Sequence, residues 1–161
     1  MNDPRYPIGK FEPPAEYTAA GRRIFIDQIY EMPLLLRKAL EGLTDEQLDT
    51  PYRDGGWSLR QVVHHLADSH LNAYMRFKLA VTEDTPTIRP YDEKAWAGLE
   101  DSLRADVEVS LVLLRSLHQR WVIFLKSLSD EQFSRTYVHP ENGPGIVDRL
   151  LALYAWHGRH H

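Results

Sequence analysis

Leu43-Thr44-Asp45-Glu46-Gln47-Leu48 and Leu128-Ser129-Asp130-Glu131-Gln132-Phe133 are two versions of one segment. In each, a hydroxyl stands three residues before a glutamine. This is the capping-box arrangement, in which side chains and backbone satisfy each other's donors at a helix start. Each segment lies between two long stretches with helical apolar spacing, and each is followed by a tyrosine at the same offset, Tyr52 or Tyr137. A chain punctuated in this way is confined to helix–turn–helix units, and the repetition points to a duplicated helix pair.

The spacing predicts a first helix from about residue 15 to residue 43, on Ile26, Ile29 or Tyr30, Leu34, Leu36, Leu40 and Leu43. Pro33 lies inside it and is expected to kink or split it. Ser58 and Gln61 form another capping box, opening a second helix that runs to about Val81 on Leu59, Val62, Val63, Leu66, Tyr74 and Phe77. A third spans about Asp106 to Leu128 on Val109, Leu113, Leu114, Leu117, Trp121, Phe124 and Leu125. A fourth starts near Val147 or Asp148, with Val147, Leu150 and Tyr154 facing inward. Residues 51–56 and 138–146 have loop chemistry, and no stretch alternates convincingly as a strand. Residues 1–14, with four of the ten prolines, read as an extended arm.

Residues 82–104 are a long connection with one helical turn around Glu93 to Leu99, long enough to return the chain along the bundle. The second and third helices then run parallel. The expected architecture is a single all-α domain over 1–161, a four-helix bundle with up-down-down-up topology.

Composition narrows the function. The net charge of −4 gives no basic footprint for nucleic acid or an anionic membrane. No apolar run approaches the roughly 20 residues needed to span a bilayer, and the N-terminus has no signal pattern. A cytoplasmic protein acting on a small molecule is expected. The chain has no cysteine, which excludes disulfides, thiolate ligands and a cysteine nucleophile. A metal would have to be held by imidazole, carboxylate or water.

The histidines cluster. His157 and His161, four apart on a helix, continue the inward stripe of Tyr154 and can share one ion. His160 falls on the flank and Arg159 points away. In the second helix periodicity favours His70, leaves His65 on the flank of the stripe and turns His64 outward with Asp68.

Tyr6-Pro7-Ile8-Gly9, Leu48 through Trp57, Gln61 through His70, Ile88 through Trp96 and Trp156 through His161 together resemble the YfiT branch of the DinB-like family of metal-dependent hydrolases. The resemblance covers nearly the whole chain and implies the same bundle. It also implies zinc or nickel held by His65, His157 and His161, so it selects the flanking His65 over His70. The family's last helix continues beyond the position of His161, so the resemblance implies a fourth helix cut short. The implied activity is hydrolysis by metal-activated water. The alternative is S-transfer of a low-molecular-weight thiol such as bacillithiol, which suits a chain without cysteine. A metal-binding or metal-sensing module without turnover is the non-enzymatic alternative. Arg89, Tyr91 and Trp96 are candidate walls of the substrate cleft, Gln61 and Asp68 are candidate supports of the ligands, and a homodimer is plausible.

Overall fold

In the computed structural model of the chain, residues 5–161 are described; the first four residues of the expected arm lie outside them. From Arg5 the chain runs irregularly to Thr18, whose hydroxyl accepts from Gly21 N–H and opens α1, Ala19–Leu40. Then follow α2 (Asp45–Leu48), α3 (Leu59–Thr82), α4 (Glu93–Ala97), α5 (Glu100–Arg104), α6 (Val107–Lys126), α7 (Asp130–Phe133), β1 (Thr136–His139), β2 (Gly143–Ile146) and α8 (Val147–His160). Both copies of the repeated segment form complete capping boxes at the starts of α2 and α7. The chain is therefore twice a long helix, one capped turn and a second long helix.

The polar contacts give the direction of each long helix. Arg37 near the end of α1 pairs with Glu108 at the start of α6, at 2.7 Å, so α1 and α6 are antiparallel. Between α3 and α6, His64 meets Ser110 near both starts and Tyr74 meets Phe124 near both ends, so they are parallel. Arg76 of α3 bonds Tyr154 of α8, while His65, earlier in α3, meets His161 at the end of α8; these two are antiparallel. Arg22 and Asp148 join the starts of α1 and α8 at 2.7 Å. The topology is up-down-down-up. Among the long helices, both α1 and α3 pack on α6 and α8 rather than on each other, and so stand on opposite corners of the bundle.

The core carries Ile29, Phe77, Leu114, Trp121, Leu125, Val147 and Leu151, each 1% exposed or less. Leu34, Val109 and Leu113, expected on the inward stripes, are exposed instead.

Three expectations change. Pro33 does not split α1: the helix runs unbroken from Ala19 to Leu40. A proline has no N–H for the carbonyl four residues before it. That carbonyl, on Ile29, accepts from His118 Nδ1 at 2.5 Å instead, so it is not orphaned. The loop expected over 138–146 holds a hairpin, with Thr136 opposite Ile146 and His139 opposite Gly143. Gly143-Pro144-Gly145 has poor strand propensity, which hides it. The strand forms because Tyr137 packs over Gly145, where a Cβ would lie 2.7 Å from its hydroxyl. Val138 also exchanges backbone hydrogen bonds with Pro86 and Ile88, pinning the crossover to the hairpin. Finally, His64 does not face outward but is 5% exposed. Its ring meets Ser110 Oγ at 2.6 Å and the Ala105 carbonyl at 3.1 Å, because the start of α6 covers a second side of α3.

Candidate metal centre

The ends of α3 and α8 that meet at one pole of the bundle carry His65, His157 and His161. One nitrogen of each lies within 4.8 Å of the others. The i, i+4 spacing on α8 puts the His157 and His161 ring centroids 4.7 Å apart, and His65 approaches them from α3 at 5.5 and 5.0 Å. Even a triangle with all edges at 4.8 Å has its centre about 2.8 Å from each corner. Zinc–nitrogen bonds are about 2.0–2.1 Å, so ring movements of under about 1 Å bring three imidazoles onto one ion.

The donors are also in the right state. Burial lowers the His65 ring from 6.5 to about 4. His157 is held well below the ordinary histidine range, by burial first and the neighbouring His70 second. His161 is lowered for the same reason and by His65, although its exposed position leaves water to screen it. Neutral imidazoles with available lone pairs are what a zinc or nickel ion takes. The residues fit such an ion.

The neighbours hold this arrangement. Trp57, in the loop before α3, lies against His65 with ring centroids 4.8 Å apart. Gly158 lets α8 approach closely: a Cβ there would stand 2.9 Å from Met32 Cγ and 3.4 Å from His70 Cε1. His160 is half-buried and Arg159 exposed, as the wheel predicts, and the His160 ring is stacked on Trp156 at 4.5 Å. His70, which periodicity favours, is fully buried behind His157 and hydrogen-bonds it at 3.1 Å.

The three histidines line a cleft of about 570 Å³ walled by Tyr6, Tyr52, Arg53, Trp57, Lys94 and Trp156. Glu93, at the start of α4, is the one side-chain carboxylate on its lining among the described residues, and desolvation raises its pKa. A second cavity of about 210 Å³ shares His157 and Glu93 and is lined by Arg76, Tyr137, Arg149 and Tyr154. Arg89, Tyr91 and Trp96 line neither: they border a neighbouring cavity of about 470 Å³, with Tyr91 and Trp96 rings 4.6 Å apart. Gln61 is occupied as the capping residue of α3 and donates to the Ala97 carbonyl at 2.7 Å. Asp68 lies on the side of α3 facing Asp101.

Trp57, Glu93 and His118 were not singled out by sequence. His118 had a signal, since it stands four after Leu114 and three before Trp121 on the buried stripe of α6. Glu93 had none beyond its place in the first turn of a short helix capped by Asp92.

Residues 28–161 match the DinB superfamily. The chain belongs to the DinB superfamily. It is 53% identical over 157 residues to "Putative metal-dependent hydrolase YfiT" of Bacillus subtilis (strain 168), covering 97% of this chain and 88% of that protein. A protein of Bacillus cereus (strain 03BB102), "Putative metal-dependent hydrolase", is 53% identical over 161 residues, with 100% and 92% covered. A solved structure described as "YfiT from Bacillus subtilis is a probable metal-dependent hydrolase with an unusual four-helix bundle topology" superposes with a TM-score of 0.96 at 52% identity. It covers 98% of this chain and 91% of that one. This DinB-superfamily chain thus has the fold of that relative over nearly all of its length. Among the described residues no helix is long and apolar enough to cross a membrane.

Proposed function

We propose that the chain is a metal-dependent hydrolase in which His65, His157 and His161 hold one zinc or nickel ion at the floor of the cleft. The observation that carries this reading is the convergence of three imidazoles, one ligand nitrogen of each within 4.8 Å of the others, on a solvent-reached cavity. The names of the relatives support it. Three protein ligands leave a coordination position open, which distinguishes a catalytic from a closed structural site. The chemistry such an ion supplies is Lewis acidity, which polarises an electrophile and makes a nucleophile available at neutral pH.

The chain's own residues do the rest. Trp57 packs against His65, its ring tilted by 52°, and limits the rotation of the imidazole. Glu93 is the carboxylate within the cleft that can accept a proton from the nucleophile and return it to a leaving group. Its raised pKa moves it towards the range where both directions work. Arg53 and Lys94 supply positive charge at the rim for an anionic group on the substrate.

The test is metal content together with turnover. Purified protein should carry about one equivalent of zinc or nickel. His157→Ala should carry none while keeping its helical circular dichroism, and unchanged stoichiometry would sink the site. Glu93→Gln should keep the metal and lose ~10²–10⁴-fold in kcat on a hydrolysed ester or amide. A second reading is transfer of a low-molecular-weight thiol at the same ion. It is favoured by the lack of cysteine in the chain, because the thiol then has to come from outside. Consumption of thiol in step with an electrophile, with no hydrolysis when thiol is omitted, would select it.

A further inference from the structure

His118, His70 and His157 stand in a row that begins inside α1 and ends at the metal centre. His118 Nδ1 lies 2.5 Å from the Ile29 carbonyl oxygen, His70 Nδ1 lies 2.9 Å from His118 Nε2, and His157 Nδ1 lies 3.1 Å from His70 Nε2. His118 and His70 are 1% and 0% exposed, so these contacts are the partners their rings have.

A carbonyl only accepts. This one is available because residue 33 is a proline with no N–H to give it. His118 Nδ1 must therefore carry a hydrogen. Each nitrogen–nitrogen contact holds one hydrogen and no more. Three contacts use three hydrogens, and three singly protonated rings supply three. A second proton on His118 or His70 would place an imidazolium in a fully buried row whose partners are two other rings and a carbonyl, with no carboxylate to pair it, so each ring carries one hydrogen. The donors then follow without choice: His118 Nδ1 to the Ile29 carbonyl, His70 Nδ1 to His118 Nε2, and His157 Nδ1 to His70 Nε2.

We infer that His70 and His118 are positioning residues that hold His157 as its Nδ1–H tautomer, leaving Nε2 as the lone pair for the ion. A free histidine side chain favours the opposite, Nε2–H, form. Without an acceptor behind it, His157 would mostly present an N–H to a cation. The partner behind the ring also fixes its rotation, which is how an outer partner raises a ligand's affinity. Tyr154 meets both rings edge-on, at 5.6 Å from His70 and 5.7 Å from His157, and limits their tilt. The acceptor here is a neutral imidazole relayed to a backbone carbonyl, not a carboxylate. The charge of a bound ion would therefore not be offset by a carboxylate behind His157. The use of the relay rests on the metal reading proposed above, but its hydrogen order does not.

The deciding experiment is nitrogen-15 NMR of the histidine rings in metal-free wild-type protein, paired with zinc affinity by chelator competition. His157, His70 and His118 should all show the Nδ1–H pattern. His70→Phe keeps a ring in the same space but removes the acceptor. It should shift His157 towards Nε2–H and weaken zinc binding ~10–100-fold. His118→Phe, two rings from the ion, should weaken it less but measurably. An Nε2–H pattern at any of the three rings in wild type overturns the proposal, whether or not the variants fold. So does a folded His70→Phe with wild-type zinc affinity. A wild type that bound no zinc would defeat the metal reading, while the spectra would still decide the relay.

Discussion

Asp68 shows how one buried-side carboxylate can work against its own fold. Desolvation first, and the charge of Asp101 second, raise its pKa from 3.8 to about 6. A carboxylate whose folded pKa lies above its unfolded value favours the folded state below the unfolded pKa. It loses that contribution as pH rises through the folded one. At neutral pH Asp68 is therefore a cost. The full shift corresponds to roughly 3 kcal/mol, and because the group is only half-buried, about 1 kcal/mol is the realistic share. Asp68→Asn should accordingly be more stable than wild type by about 1 kcal/mol at pH 7.5 in urea denaturation, with no advantage near pH 3.5. An equal gain at both pH values would rule this account out. At this scale sequence reading was uneven. The inward turn of His157 and His161 follows from their spacing after Tyr154. The nearness of His65 to them does not, because a helical wheel assumes one buried face, whereas α3 is covered by α6 on one side and α8 on another. The cover from the start of α6 is also why His64 is buried.

Elements are joined here by two arginines. Arg22 grips Asp148 with two bonds, Nε to Oδ1 at 2.7 Å and Nη2 to Oδ2 at 2.8 Å, and lies over the Phe133 ring at 4.5 Å. It thereby joins the starts of α1 and α8 to the capped turn α7. Its further pair with Asp130, which is exposed, adds little. Arg60, 6% exposed, joins Asp45 and Asp49 at α2 to the Ala105 carbonyl before α6. Removing one partner of a buried pair strands the other charge. Asp148→Ala should thus cost about 3 kcal/mol in denaturant titration, whereas replacing Arg22 and Asp148 together by apolar residues should cost clearly less. Additive losses would mean that the pair is not the source. The four long helices were legible from their apolar stripes, and the two short ones, α2 and α7, from their capping boxes. The hairpin was not, because its strands are four residues long and one is built on glycine and proline. What shapes it is a contact from Tyr137, which no local pattern announces.

For the whole molecule, a cation at His65, His157 and His161 would bind folded chains only, because the three residues meet only when α3 and α8 are antiparallel neighbours. A ligand at 100 times its Kd stabilises by about 2.7 kcal/mol. For a chain of this length that is a rise in Tm of roughly 5–10 °C. Calorimetry should show this rise on adding zinc to metal-stripped wild type and no rise for His65→Ala. An equal rise in the variant would point to binding elsewhere.

The diagonal placement of α1 and α3 bears on how the chain reaches its native state. Most helical bundles can begin with two sequence neighbours zipping into a hairpin. Here the principal helix pairs, α1 with α6 and α8 and α3 with α6 and α8, all join segments far apart in the chain. Each therefore requires closing a long loop before any apolar area is gained. Such pairing raises the mean sequence separation of native contacts, and folding rate falls as that separation grows. The earliest productive species has to bring both halves of the duplicated chain together. Each half alone is a pair of amphipathic helices without a partner for its buried face.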